Sequence, residues 1–378
     1  MHENFNTRQL LSLGAVIALT PALRLFPTQA ASVGGRAGWL APLAALPLAL
    51  VWARAMALLT EAMQPGEELP DTLLRLGGKH LGKPALALFV VWCLTYAAFV
   101  LRSGADRLVG TVYPGASPAL FSQLMGLTAL AAALSTPRSL ARIGRILLPL
   151  LYGVLGLLLF FALLSADWGN LFPLSPVDLW PVVKTAPVPL DIVAGSGTAL
   201  CFLAGGLKER GPVFPALAKW SALLCAGLSL LSTAVIGAFG ATLTAQLARP
   251  FFVLVRTLVF FRTVERVEAL VVMLWIFPDF LMAALFFWAG QYSLRLLCGY
   301  HPDAKMHARL DFAEGRVLIW AFGAAAIILS LFLAPEPRRL ERWSTVYIPA
   351  ANFTFVFVYL PLIYIVGRKS GVKKGKRL

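Results

Sequence analysis

The apolar residues of this chain neither alternate nor mark one face of amphipathic helices. They run in blocks long enough to cross a bilayer, cut by short polar joints. Ten such blocks are expected, at about 10–32, 40–59, 84–101, 119–134, 146–165, 188–207, 216–239, 269–288, 317–333 and 346–366. A Pro-, Asp- and Trp-rich linker, 166–187, separates the fifth from the sixth and has no helical period. Two blocks carry interruptions. The first contains Thr20-Pro21-Ala22-Leu23-Arg24, and the sixth carries Asp191 and then Gly195-Ser196-Gly197-Thr198.

Interruptions five blocks apart are the mark of an inverted repeat whose halves are related by an axis in the membrane plane. The pattern therefore predicts an all-α integral membrane protein with ten transmembrane helices in a five-plus-five inverted repeat, helices 1 and 6 being discontinuous. The chain reads as one polytopic unit over 1–378, with repeat one at about 8–165, repeat two at about 188–367 and a basic tail at 368–378. A plain proline kink at Pro21 and a small-residue packing face at Gly195 and Gly197 are the simpler alternative.

Composition supports the membrane reading: 59% of the 378 residues are hydrophobic and 13% charged, with a mean hydropathy of +0.77. A soluble domain could not hide that much apolar surface. The formal charge of +15 then speaks for anchored loops and contact with membrane lipids, with no nucleic acid implied. Placing both termini in the cytoplasm puts the basic joints around Arg75 and Lys83, Arg138 to Arg145, Lys208 to Lys219, Arg295 to Arg316 and the tail on one side. Arg102, Arg107 and the segment from Arg249 to Arg266 fall on the other. The first residues show no basic stretch or cleavage signal, so the first block is expected to stay in the mature chain. Cys93, Cys201, Cys225 and Cys298 lack CxxC spacing and read as small hydrophobes.

No hydrolase triad, phosphate loop or haem ligand set is present in the sequence, so neither an enzyme nor a cofactor is expected. His301 and His307 lack a third ligand and fit a solvated loop better than a metal site. The candidate ligand pocket is built at the two interruptions. Thr20, Pro21 and Ala22 offer one half; Gly195, Ser196, Gly197 and Thr198 offer the other, where backbone groups freed at bilayer depth need a polar partner. Tyr96 in the third block could reach the same depth. Asp279, one residue past Pro278, falls mid-helix, where an ionisable group is an ion- or coupling-site candidate. A structural ion pair with Arg24 or Arg54 is the competing role. Just before the eighth block, Arg262, Glu265, Arg266 and Glu268 form a charge knot able to neutralise itself at helical i,i+3 and i,i+4 spacing.

Three stretches carry a family resemblance: from Gln9-Leu10-Leu11 to Gly38-Trp39-Leu40, from Arg256 through the knot into Trp275, and the basic tail. With the length and the order of features, they resemble the spore germination proteins of the GerAB/GerKB type, the B subunits of nutrient germinant receptors within the amino acid–polyamine–organocation superfamily. The resemblance implies the LeuT/APC-like form of the repeat and a sensor of a small nutrient, most often an amino acid, in the inner membrane of a dormant spore with both termini on the core side. It also implies partners, an A-type membrane subunit and a C-type lipoprotein subunit, and no enzymatic activity. Where such proteins often have an acidic residue shortly after the helix-6 glycine, Gly197 is followed here by Thr198 and Ala199. An ordinary secondary amino acid transporter coupled to H⁺ or Na⁺ would need the same pocket.

Overall fold

The computed structural model describes residues 6–64, 67–207, 212–257, 268–299, 310–333 and 336–369. The expected apolar blocks are helices: α1 (Thr7–Gly34), α2 (Ala41–Ala62), α4 (Lys83–Thr111), α5 (Pro118–Ala133), α6 (Pro137–Leu164), α8 (Pro187–Cys201), α9 (Val213–Gln246), α11 (Glu268–Leu297) and α12 (Leu310–Leu333). The last block is assembled from α13 (Pro337–Arg342), α14 (Ile348–Phe353) and α15 (Leu360–Lys369), joined by π-helical turns at Trp343–Tyr347 and Thr354–Tyr359. Short helices α3 (Leu69–Gly77), α7 (Leu179–Thr185) and α10 (Pro250–Thr257) complete the order.

Among the described residues, six helical stretches are long and apolar enough to cross a membrane, the first, Thr7–Ala62, holding both α1 and α2. Large apolar side chains stand exposed on their outer faces, including Val51, Leu88, Ile146, Phe160, Val317 and Phe332. In water such a surface would drive association; against acyl chains it is the required one.

Packing pairs helices from the two halves of the chain. Helices α1 and α2 lie against α8 and α9, while α4 and α5 lie against α11 and α12. Counted as blocks, the first two of each half form one group and the next two of each half form another. Helix α6 runs beside α1, where the Tyr152 hydroxyl donates to the Ala15 carbonyl (2.9 Å).

The interruptions differ from expectation. Helix α1 continues through Thr20–Leu23 without unwinding, with Pro21 and Pro27 inside it. Each proline removes one amide donor from the ladder, so the freed groups are single carbonyls one turn back and not an open segment. In α8 the helix continues through Gly195–Thr198 and ends at Cys201; the break comes later, at Phe202–Leu203, followed by a 3₁₀ turn at Ala204–Gly206. The small residues there admit a neighbour: Gly205 sits against the Glu67 carbonyl at the start of α3. A further bend occurs in α9 at Gly240, whose φ of 72° only glycine adopts readily. The Asn170 amide and the Asp167 backbone N–H both donate to the Gly237 carbonyl beside it, which ties the 166–187 linker to that bend.

Candidate functional site

The polar groups at mid-bundle come from five helices. Helix α4 supplies a face at i,i+4 spacing, Ser103 and Arg107, with Gly104 between them. The Arg107 Nη1 donates to the Ser103 hydroxyl (2.8 Å), and Nη2 pairs with the Asp279 carboxylate of α11. Both members of that pair are almost wholly enclosed, Arg107 at 3% and Asp279 at 2% exposure. At Gly104 a side chain would run into both the Met125 thioether and the Asp279 carboxylate. Thr20 of α1 reaches the same carboxylate and also donates to the Trp275 carbonyl (3.4 Å).

The partner of Asp279 is therefore Arg107, correcting both expected partners. Arg54 is exposed, its guanidinium over the Phe214 ring (5.8 Å), and Arg24 stacks over Phe99 (5.0 Å). Arg24 nonetheless lies within electrostatic reach of Arg107, Tyr96 and Asp279. Arg102 and Arg107 do not sit in an outer loop as the hydropathy blocks implied; α4 carries both inside the bundle. The signal was present as Ser103, Gly104 and Arg107 on one helical face, but a window that stops at the first charge cannot see it.

A second group lies on the other side of Tyr96. The Tyr96 hydroxyl and the Asp191 carboxyl both meet the side chain of Asn352 in α14. The Asn352 carbonyl oxygen accepts from the Trp92 indole (2.9 Å), and its amide rests against Gly195. Aromatic rings wall this group: Phe286 lies 4.7 Å from Tyr96 and 4.9 Å from Trp92, and Phe355 lies 5.4 Å from Trp92. The π-helical turns on either side of Asn352 are a backbone form found often at functional sites. Nothing in the sequence alone singled out Asn352, because one amide in an apolar block has no periodic signature.

The remaining expected residues go elsewhere. Gly197 faces Trp52 and Trp220, and the Thr198 hydroxyl accepts from the Trp52 indole (3.3 Å). Ser196 is buried in α8, and Pro21 and Ala22 are half-buried in α1. The structure thus brings Thr20 to Asp279 and Gly195 to Tyr96 through Asn352, while Gly197 and Thr198 belong to an aromatic contact with α2 and α9. Of the charge knot, Arg262, Glu265 and Arg266 lie outside the described residues, as do His301, His307 and the end of the tail. Glu268 opens α11.

Unfilled valences define what the cluster can do. Arg24 Nε, Arg107 Nε and Asp191 Oδ1 are all buried with no hydrogen-bond partner, and among the described residues Arg107 has a carboxylate partner where Arg24 has none. At bilayer depth an unfilled valence on a charged group costs several kcal/mol in order-of-magnitude terms. A cation with donor capacity and an anion with acceptor capacity, both within electrostatic reach of one tyrosine, are complementary to a ligand carrying both charges.

A sequence model of the family described as "Spore germination protein" matches residues 4–333. No curated protein matches the chain. Among solved structures, the chain is similar to the crystal structure of MhsT in complex with L-phenylalanine, at a TM-score of 0.58 and 14% identity, over 94% of this chain and 87% of that one. At that identity the likeness speaks for the fold, and it is the transporter-type fold expected from the repeat.

Proposed function

Because the chain belongs to the spore germination protein family, we propose that it is the nutrient-sensing B subunit of a germinant receptor, set in the inner membrane of the spore. In this reading it binds a small zwitterionic germinant, an amino acid, and passes the signal to an A-type membrane subunit and a C-type lipoprotein. The observation that carries the ligand class is the pair of unfilled, buried, oppositely charged atoms: Arg24 Nε would take the carboxylate and Asp191 Oδ1 the ammonium. Tyr96, Thr20 and the small face at Gly195 and Ser196 complete the surroundings, with Asp279 held by Arg107 as a fixed charge behind Arg24. Termini on the core side follow from the basic joints. The chain performs no covalent step in this role.

Thermal unfolding of the purified chain in the presence of each of the common amino acids tests the reading. At least one should raise the midpoint in a concentration-dependent way. Asp191→Asn and Arg24→Gln should each remove that shift. A full set of amino acids without effect on the wild-type chain would refute the ligand class.

The likeness to MhsT keeps one other reading in view, a secondary transporter coupled to H⁺ or Na⁺. Uptake of the stabilising amino acid into proteoliposomes, driven by either ion gradient, would identify a transporter. Binding without uptake, together with neighbouring genes for the two other receptor subunits, identifies the sensor.

A further inference from the structure

A cavity of about 560 Å³ opens at the end of the bundle where α1 and α9 begin and α2 and α8 end. That volume is in the usual range of ligand cavities, about 300–1,000 Å³. Its wall is apolar, built chiefly from Leu10, Leu11, Leu200, Leu207, Val213 and Leu217. Above it, Leu200 packs on Gly14 and Trp220 on Trp52, and the Trp220 indole donates to the Leu11 carbonyl (3.2 Å). This layer lies between the cavity and the polar cluster at mid-bundle, so the cavity is a separate site.

Its rim is cationic. Arg8 and Lys219 both line the cavity and are exposed, and among the described residues neither has an ion-pair partner. Helix α9 also begins at this rim, among the described residues with no side-chain cap and no acidic residue in its first turn, so the positive end of its dipole adds to the charge there. An apolar interior below two cations, Arg8 and Lys219, is complementary to an acyl chain ending in an anionic head. We propose that this cavity holds an acyl chain of an anionic membrane phospholipid, with the phosphate between Arg8 and Lys219. The site stands at a helix end, where a lipid of the adjacent leaflet can reach it with its head still at the interface.

The test uses the purified full chain in neutral detergent, with thermal unfolding read as phosphatidylglycerol, phosphatidylcholine or oleate is added. Phosphatidylglycerol should raise the midpoint and phosphatidylcholine should not. In the double variant Arg8→Gln/Lys219→Gln, about 30-fold more phosphatidylglycerol should be needed for the same shift, at about fivefold per charge. Ala216→Phe, which fills the cavity and keeps both cations, should abolish the response. If that variant does not fold, Val213→Phe at the mouth makes the same measurement. Equal protection by phosphatidylcholine, a full response in the cavity-filled variant, or oleate matching phosphatidylglycerol would each overturn the assignment. The last outcome would give the cavity to a free acyl anion.

Discussion

Helix α3 and the mid-bundle cluster both gather acids and bases, yet they leave them in opposite states. At α3 nearly every polar atom has a partner. Glu67 receives Arg75 Nε at 2.8 Å and Nη2 at 2.9 Å, the Gln64 amide at 2.9 Å and the Thr72 hydroxyl at 3.2 Å. Glu68 takes the Gly205 amide (3.2 Å), and Asp71 Oδ2 takes the Glu68 amide (3.0 Å) and the Tyr292 hydroxyl (2.7 Å). This segment holds the 3₁₀ turn that follows α8 through Gly205, the end of α11 through Tyr292, and packs on α15. At mid-bundle, where burial is deeper, Arg24 and Asp191 keep unfilled valences. A satisfied network fixes a geometry, whereas an unsatisfied one at greater depth stores a demand that a ligand can meet. The contrast teaches that charge count says little about role; leftover hydrogen-bonding capacity distinguishes a clasp from a receptor.

The hardest way to break the comparison is to strip the arginine of the mid-bundle ion pair. Arg107→Leu leaves the Asp279 carboxylate buried and unpaired, which should cost about 3–5 kcal/mol and appear as lost protein on immunoblots of purified membranes. Removing both charges together, Arg107→Leu with Asp279→Leu, should recover much of the level, since an apolar pair of similar volume can replace a buried ion pair. Normal accumulation of the single variant would mean that Asp279 does not depend on Arg107.

Next in size comes Gly197→Leu. A side chain there runs into Trp52 and Trp220, whose rings lie 6.3 Å apart. Overpacking should cost about 1–3 kcal/mol, read as a lower unfolding midpoint of the solubilised protein. Gly195→Ala, whose new methyl would meet only the Asn352 side chain, should leave stability closer to wild type while altering the ligand response. Equal stability losses at the two glycines would erase the division between the aromatic contact and the ligand face.

That division shows how far the sequence could be read. Block length and hydropathy suffice for the helices because the bilayer admits little else, whereas the interruptions that suggested the repeat are not open segments where the sequence placed them. Thr20, Tyr96 and Asp279 stand out because polar groups in apolar blocks are costly. What remained hidden depends on rotation about helix axes. Gly195 and Gly197 are two residues apart, so they point to different neighbours, Asn352 for one and Trp52 for the other. The pairing of Arg107 with Asp279 joins residues 172 positions apart, and no local pattern specifies it. Pro21 also misled in a definable way: inside a membrane helix a proline can be accommodated without unwinding.

The finest test compares two carboxyls within α3. Burial pushes the Glu67 carboxyl up, but the bonds and charge of Arg75 outweigh it and hold the group below the usual range. Its ionised form therefore stabilises the fold above the unfolded-state pKa of about 4.3, and that contribution is lost as pH falls toward the folded-state value. Glu67→Gln should cost about 1–2 kcal/mol at neutral pH and nothing in acid. For Asp71 burial dominates, and the Tyr292 hydroxyl and Glu68 amide only partly offset it, so its carboxyl is raised. The sign reverses: the fold disfavours the charge, and the penalty grows as pH rises from the unfolded-state value of about 3.9 through the folded one. Both of its hydrogen bonds go to Oδ2, so an asparagine carbonyl can accept the same two. Asp71→Asn should match wild type in acid and exceed it near neutrality by less than about 1 kcal/mol. Unfolding midpoints of the two variants across roughly pH 2–8, a range spanning lowered, ordinary and raised carboxyl values, should diverge from wild type in opposite directions. Parallel curves would show that neither carboxyl is perturbed by its setting, and α3 would then be an exposed connector instead of a clasp.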